Sequence, residues 1–172
     1  SMLDPAERTA RGLSLQSELT GHPPREADTL MQQSWRDFVY GEIWSRPALD
    51  RRARFLISMA GAAIIGHGHA MNAYVRGALT TGALTLSELR EAALHVAVYG
   101  GWSAGSMLDG EISKVAEDLN VPNVEVPPIQ AAPRDPQERM ETGAVHFEKV
   151  MTFGGPTPGN GLPYLQDGIL NF

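Results

Sequence analysis

Apolar residues recur along most of this chain at the three- and four-residue spacing of helices that bury one face; the two-residue alternation of a half-buried strand is missing. The spacing predicts helices over residues 5–19 and 25–46. The first opens with Asp4 as a cap and Pro5 in the first turn, where a missing amide costs no hydrogen bond. Asp50 caps a third helix running to about Ile65, in which Leu56, Met59, Ala60, Ala63 and Ile64 form the most apolar stripe and Gly66 provides the stop. Beyond the Gly66-His67-Gly68-His69 break, Met71, Val75, Ala78 and Leu79 line a fourth helix that ends at Gly82. Thr85-Leu86-Ser87-Glu88 is a capping box, and it opens a helix through about Tyr99. The helical pattern resumes after Gly100-Gly101, from Trp102 to Leu119, through Met107, Ile112 and Val115. No strand pairs suggest themselves, so the expected fold class is all-α.

From Val121 onward the pattern breaks down. Prolines at 122, 127, 128, 133, 136, 156, 158 and 163, with glycines at 154, 155, 159 and 161, argue against a compact helix-rich continuation. The expected organisation is one helical domain over 1–120 and a Pro/Gly-rich strap over 121–172, laid over its own or a neighbouring subunit. Within that strap the opening of the chain is echoed. Glu7-Arg8 with Gly12 recurs as Glu138-Arg139 with Gly143, and residues 30–38 line up with 164–172. Residues from about 137 therefore read as the start of a second repeat, and the chain stops where a second Val39-Tyr40-Gly41-Glu42 would begin.

At 172 residues the chain has room for one ordinary domain plus a tail. The absence of cysteine excludes disulfides, thiolate nucleophiles and cysteine metal sites together. A net charge of -6, with no basic cluster longer than Arg51-Arg52-Ala53-Arg54, argues against a nucleic-acid partner. No apolar run approaches the roughly 20 residues needed to span a bilayer, and the first residues lack the pattern of a secretory signal, so the expected setting is the cytoplasm with no membrane partner. Ser1 ahead of Met2 reads as an added residue.

Glu88, Glu91, His95, Tyr99 and Trp102 fall at spacings of three or four, a face that can line a pocket. Glu91, one turn before His95, is placed to orient the imidazole for proton transfer; the alternative is a solvated Glu-His pair. His67 and His69 face opposite sides on a regular helix and converge only in a turn. A metal site of His67, His69 and His95 lacks a carboxylate at a ligand spacing, so no metal and no cofactor is expected. One of the two is instead expected to face the pocket. Glu42 beside Trp44 is a further candidate acid or base, with a salt bridge to Arg46 or Arg51 as the alternative. Arg51, Arg52 and Arg54 sit at a helix start, where the dipole disfavours cations, so at least one needs an anionic partner: a substrate carboxylate or an acidic side chain.

Three blocks in order resemble the carboxymuconolactone decarboxylase family: Phe38-Val39-Tyr40-Gly41-Glu42-Ile43-Trp44 with Arg46-Pro47-Ala48-Leu49-Asp50, then Val75-Arg76-Gly77-Ala78-Leu79, then Leu89 through Trp102. The resemblance implies an all-α fold shared with alkylhydroperoxidase D, assembly as a homotrimer or homohexamer, and either cofactor-free decarboxylation of a carboxylated lactone in aromatic catabolism or thiol peroxidase chemistry. The peroxidase needs a Cys-x-x-Cys pair, and the matching stretch is His67-Gly68-His69-Ala70, so that chemistry is excluded. Tyr74 stands where decarboxylase-like members often carry a histidine. The resulting expectation is a cofactor-independent lyase for a small carboxylated lactone or cyclic acid. Its acid/base candidates are His95, His67, His69, Tyr74 and Glu42, and its substrate contacts Arg51, Arg54, Tyr99, Trp102 and Trp44. A lactone isomerase or hydrolase in the same pocket, and a non-catalytic oligomeric binding protein, are the alternatives.

Overall fold

Each helix start marked by a side-chain cap in the sequence is a helix start in the computed structural model, which describes residues 3–125 and 132–152. Helix α1 (Pro5–Thr20) opens on Asp4, whose carboxylate accepts the amides of Ala6 and Glu7. Helix α3 (Arg51–Ile64) opens on Asp50, and α5 (Leu86–Gly100) on the reciprocal Thr85/Glu88 box. Helix α4 (Gly68–Thr80) follows a left-handed Gly66, and α6 (Trp102–Asp118) follows Gly101, also at positive φ. All regular structure among the described residues is helical, and none of these helices is long and apolar enough to cross a membrane.

The single helix expected over 25–46 is two elements. Thr29, not residue 25, is the cap: its hydroxyl accepts the Gln32 amide while the Gln32 side chain accepts the Asp28 amide, so α2 spans only Leu30–Ser34. The chain then widens into a π-helix, Trp35–Ile43, closed by the Trp44 amide on the Val39 carbonyl five residues back. π-Turns are rare and mark places where packing overrides local preference. Here the override is the approach of α1. A side chain on Gly12 would overlap the Arg36 carbonyl, and one on Gly41 would press on the carbonyl of Arg8. An ion pair and a hydrogen bond frame the contact: Arg8 bonds Glu42 at 3.1 Å, and the Thr9 hydroxyl donates to Asp37 at 3.1 Å. The Arg36 guanidinium on Asp37 holds that carboxyl below its ordinary range.

Helices α3 to α6 close around a core in which Phe55, Met59, Met71, Val75, Leu89, Leu108, Ile112 and Val115 are fully buried. Helices α3 and α5 run side by side and parallel. Arg52 bonds Glu88 at one end, and Ile64 lies against Gly100 twelve residues further along each helix. The arginines at the start of α3 find their anions within the chain: Arg51 pairs with Glu18 and Arg52 with Glu88.

Residues 1–126 form one compact unit and 127–172 another. The second contains α7 (Pro136–Met151), a 16-residue helix where the proline content had argued against one. The reason is positional. Pro136 occupies the first turn, where its missing amide is no loss, and Asp135 caps the Glu138 amide. The matching of 164–172 to 30–38 lies outside the described residues.

Candidate functional site

The face of α5 that carries His95 points outward. His95 and Glu91 are exposed, and the imidazole stacks on the Tyr99 ring, centroids 4.8 Å apart and planes 27° from parallel. Among the described residues no hydrogen bond joins Glu91 to His95, so the orienting contact is the aromatic ring rather than the expected carboxylate. Glu88 shares the face but is committed to Arg52 and the cap. Trp102 does not continue the face, because the chain turns at Gly101 (φ 101°) and Trp102 begins α6.

Large apolar side chains are exposed on this helix and its neighbour: Ile57 and Ile64 on α3, Ile65 (76% exposed) at its end, and Val98 and Tyr99 (78%) on α5, with Trp102 (70%) just beyond. A cluster of large side chains left in water on two neighbouring helices is the kind of surface that another protein surface covers.

A second neighbourhood lies inside. Trp44 stacks with both Tyr40 and Tyr74, ring centroids 6.2 and 6.1 Å away and planes 23° and 21° from parallel, with Phe55 edge-on at 5.0 Å. Burial pushes the Tyr40 phenol up to about 12, the nearby Tyr74 phenol adds to the rise, and Trp35 opposes it. Burial also raises Tyr74. Both phenols therefore keep their protons at neutral pH and can donate but not act as bases. Trp44 is a wall of this stack, buried rather than open to a ligand. An alkaline prediction follows for Tyr40, which is 2% exposed. A folded pKa above the unfolded value of about 10 gives stability that is complete below pH 10 and is lost as pH rises towards 12. Unfolding free energies from urea titrations should therefore fall between pH 9.5 and 11.5 more steeply in the native protein than in Tyr40→Phe. The difference should be of order 1–3 kcal/mol. Equal slopes would show that Tyr40 does not resist ionisation.

The other candidates are held elsewhere. His67 caps α4, its Nδ1 accepting the Ala70 amide at 3.3 Å, and His69 is exposed in the next turn. Among the described residues no three His, Asp or Glu gather as metal ligands. Glu42 pairs with Arg8 rather than with Arg46 or Arg51. Arg54 donates to the carbonyls of Leu49 and Arg46, fixing the loop before α3. The chain alone thus brings His95 to Tyr99 and Tyr74 to Trp44, and does not bring these pairs together with Arg51, Arg54 or Glu42. A groove of about 240 Å³ between α5 and α6 was not foreseen: Arg90, Leu94, Ala97, Trp102 and Asp109 are among its lining, and Arg90 is tied to Asp109 at 2.6 Å. The spacing of Arg90, Leu94 and Ala97 was the available signal, overlooked beside the more titratable face.

Residues 30–106 match the carboxymuconolactone decarboxylase family. The chain is 29% identical over 123 residues to a 4-carboxymuconolactone decarboxylase of Acinetobacter baylyi, covering 67% of this chain and 91% of that protein. It is 39% identical over 72 residues to a nitrosuccinic acid decarboxylase of Metarhizium robertsii, covering 41% of this chain and 48% of the relative.

Proposed function

Because the chain belongs to the carboxymuconolactone decarboxylase family through residues 30–106, we propose that it decarboxylates a small carboxylated acid at His95, in a pocket closed by a second copy of the chain. The names of the two relatives support the reaction type. One observation supports the location: an imidazole stacked on a tyrosine on α5, a helix that together with the neighbouring α3 leaves Val98, Ile57 and Ile64 in water in a single chain. Covering that surface, as a trimer or hexamer would, turns a solvated histidine into an acid in a water-poor site.

The chemistry asks little more of the protein. The bond from the carboxyl carbon to its neighbour breaks, carbon dioxide departs, and the electron pair passes into an adjacent substrate carbonyl as an enolate. The imidazolium of His95 returns a proton to the carbon, a step in which a positioned acid contributes about 10²–10⁴-fold. Tyr99 offers a flat wall for a ring or conjugated acid. Apolar surroundings disfavour the localised charge of the carboxylate more than the spread charge of the departing state. The thiol peroxidase route stays closed for want of any cysteine.

The test is direct. The purified protein is offered a panel of small acids whose carboxyl group sits on the carbon beside a carbonyl or is conjugated to one through a double bond, carboxylated lactones included, and carbon dioxide release is followed. Catalysed release from at least one is expected; release at the buffer rate from all of them would overturn the proposal.

A further inference from the structure

Helices α5 and α6 are joined by Gly101 alone and touch where Gly105 meets α5: a Cβ there would overlap Ala97 and the carbonyl of Ala93. Contact this close between small residues leaves a trough beside it, the groove of about 240 Å³. Its α5 side is Arg90, Leu94 and Ala97, at spacings of four and three, a stripe separate from that of Glu91, His95 and Tyr99. Its α6 side carries Trp102 at one end and Asp109 at the other. The groove is therefore apolar along most of its length and charged where Arg90 meets Asp109. There Arg90 commits a single nitrogen: Nη1 donates to Asp109 Oδ1 at 2.6 Å, to the Asp109 carbonyl at 3.1 Å and to Ser113 Oγ at 3.0 Å. Nε and Nη2, the edge by which a guanidinium takes a carboxylate through two parallel bonds, hold no hydrogen bond among the described residues. The side chains of Arg90 and Asp109 are both partly open to water, so that edge is within reach of a ligand.

We infer that the α5–α6 groove binds a small carboxylate with a flat apolar body, its oxygens on Nε and Nη2 of Arg90 and its body along Leu94 and the Trp102 ring. Each part of the ligand follows from a part of the groove. An arginine presents donors only, so its free edge calls for an acceptor, and the charged acceptor of matching width is a carboxylate. Leu94, Ala97 and Trp102 reward an apolar body, and the indole rewards a flat one. The volume is below the roughly 300–1,000 Å³ of sites for drug-sized ligands, which suits a single ring. Asp109 plays two opposed parts. It holds the guanidinium in place, which lowers the cost of ordering it on binding, and its own charge repels the ligand's. Asparagine at that position keeps an oxygen for Nη1 and removes the charge, so it separates the two.

The test is independent of the decarboxylase reading. Benzoate is added to the full chain while the indole N–H resonances of its three tryptophans are followed by NMR, the Trp102 signal being assigned from Trp102→Phe. That signal should move and saturate with a Kd of about 10 mM or tighter. Benzamide, of the same shape without the charge, should bind at least about fivefold more weakly. Arg90→Met should weaken benzoate about tenfold, Asp109→Asn should tighten it about twofold or more, and His95→Gln should leave it unchanged. A Trp102 signal that does not respond, or equal affinity for benzamide, would overturn the inference. So would equal weakening by Arg90→Met and Asp109→Asn, which would mark a pair that only ties α5 to α6, and so would a response lost in His95→Gln but kept in Arg90→Met, which would place the ligand on the His95 face.

Discussion

Gly77→Ala should destabilise the protein by about 3 kcal/mol or more, against the usual trend for glycine inside a helix. On propensity alone the change gains roughly 1 kcal/mol. Packing reverses the sign. A Cβ on Gly77 would overlap the backbone carbonyl of Leu19 and sit 3.0 Å from the Phe55 ring. The obstacle is main chain at the last turn of α1, so relief requires α1 to shift off α4. Overpacking typically costs 1–3 kcal/mol even where side chains can yield. Because a domain of this size has only about 5–15 kcal/mol in hand, the loss should be plain as a lowered urea midpoint. Gly110→Ala is the control: nothing lies within 4 Å of a Cβ there, inside α6, and the same substitution should stabilise by 0.5–1 kcal/mol or so. A Gly77→Ala protein as stable as the control would show that α1 does not lie against α4 as described.

His95→Gln should cut turnover about 10²–10⁴-fold while leaving the melting temperature within roughly 2 °C of the native value. The two parts of the expectation rest on different facts. The side chain is exposed on the single chain and its contact is the Tyr99 ring, so its loss removes little packing. The glutamine side chain is similar in reach but cannot deliver a proton near neutral pH, so the step that quenches the enolate fails. Tyr99→Phe, which keeps the ring and loses the hydroxyl, should retain most of the activity. If His95→Gln turned over carbon dioxide at the native rate, the acid would have to be sought among Tyr74, His67 and His69.

The sequence was most informative where structure is decided locally. Asp4, Asp50 and Thr85 cap helices because their side chains bond amides within three residues, and Gly66 and Gly82 stop them through positive φ. Such signals need no knowledge of the rest of the chain. The π-helix was not legible, since it depends on α1 approaching Arg36 and Gly41 through Gly12. The arginines illustrate the boundary. Helix-dipole reasoning required anions near the start of α3, yet Glu18 and Glu88 lie 33 and 36 residues away along the chain, and only packing selects them over a substrate. The face of His95 was likewise readable as a face. Its direction was not, because periodicity groups residues on one side of a helix without saying what that side meets. The outward direction also changes the proposed site: pairing with Glu91 gives way to stacking on Tyr99, and the proposal assigns enclosure to a second copy.

That enclosure is the central claim, and carbethoxylation of histidines by diethyl pyrocarbonate, resolved residue by residue by mass spectrometry, tests it without knowledge of the substrate. His67 and His69, exposed on another part of the chain, serve as internal references. In the native protein His95 should react at least about tenfold more slowly than His67, and Ile57→Asp, which puts a charge on the exposed face of α3, should restore rapid reaction. If His95 reacts as fast as His67 in the native protein at concentrations where it is associated, the imidazole stays in open water and the account of the site is wrong.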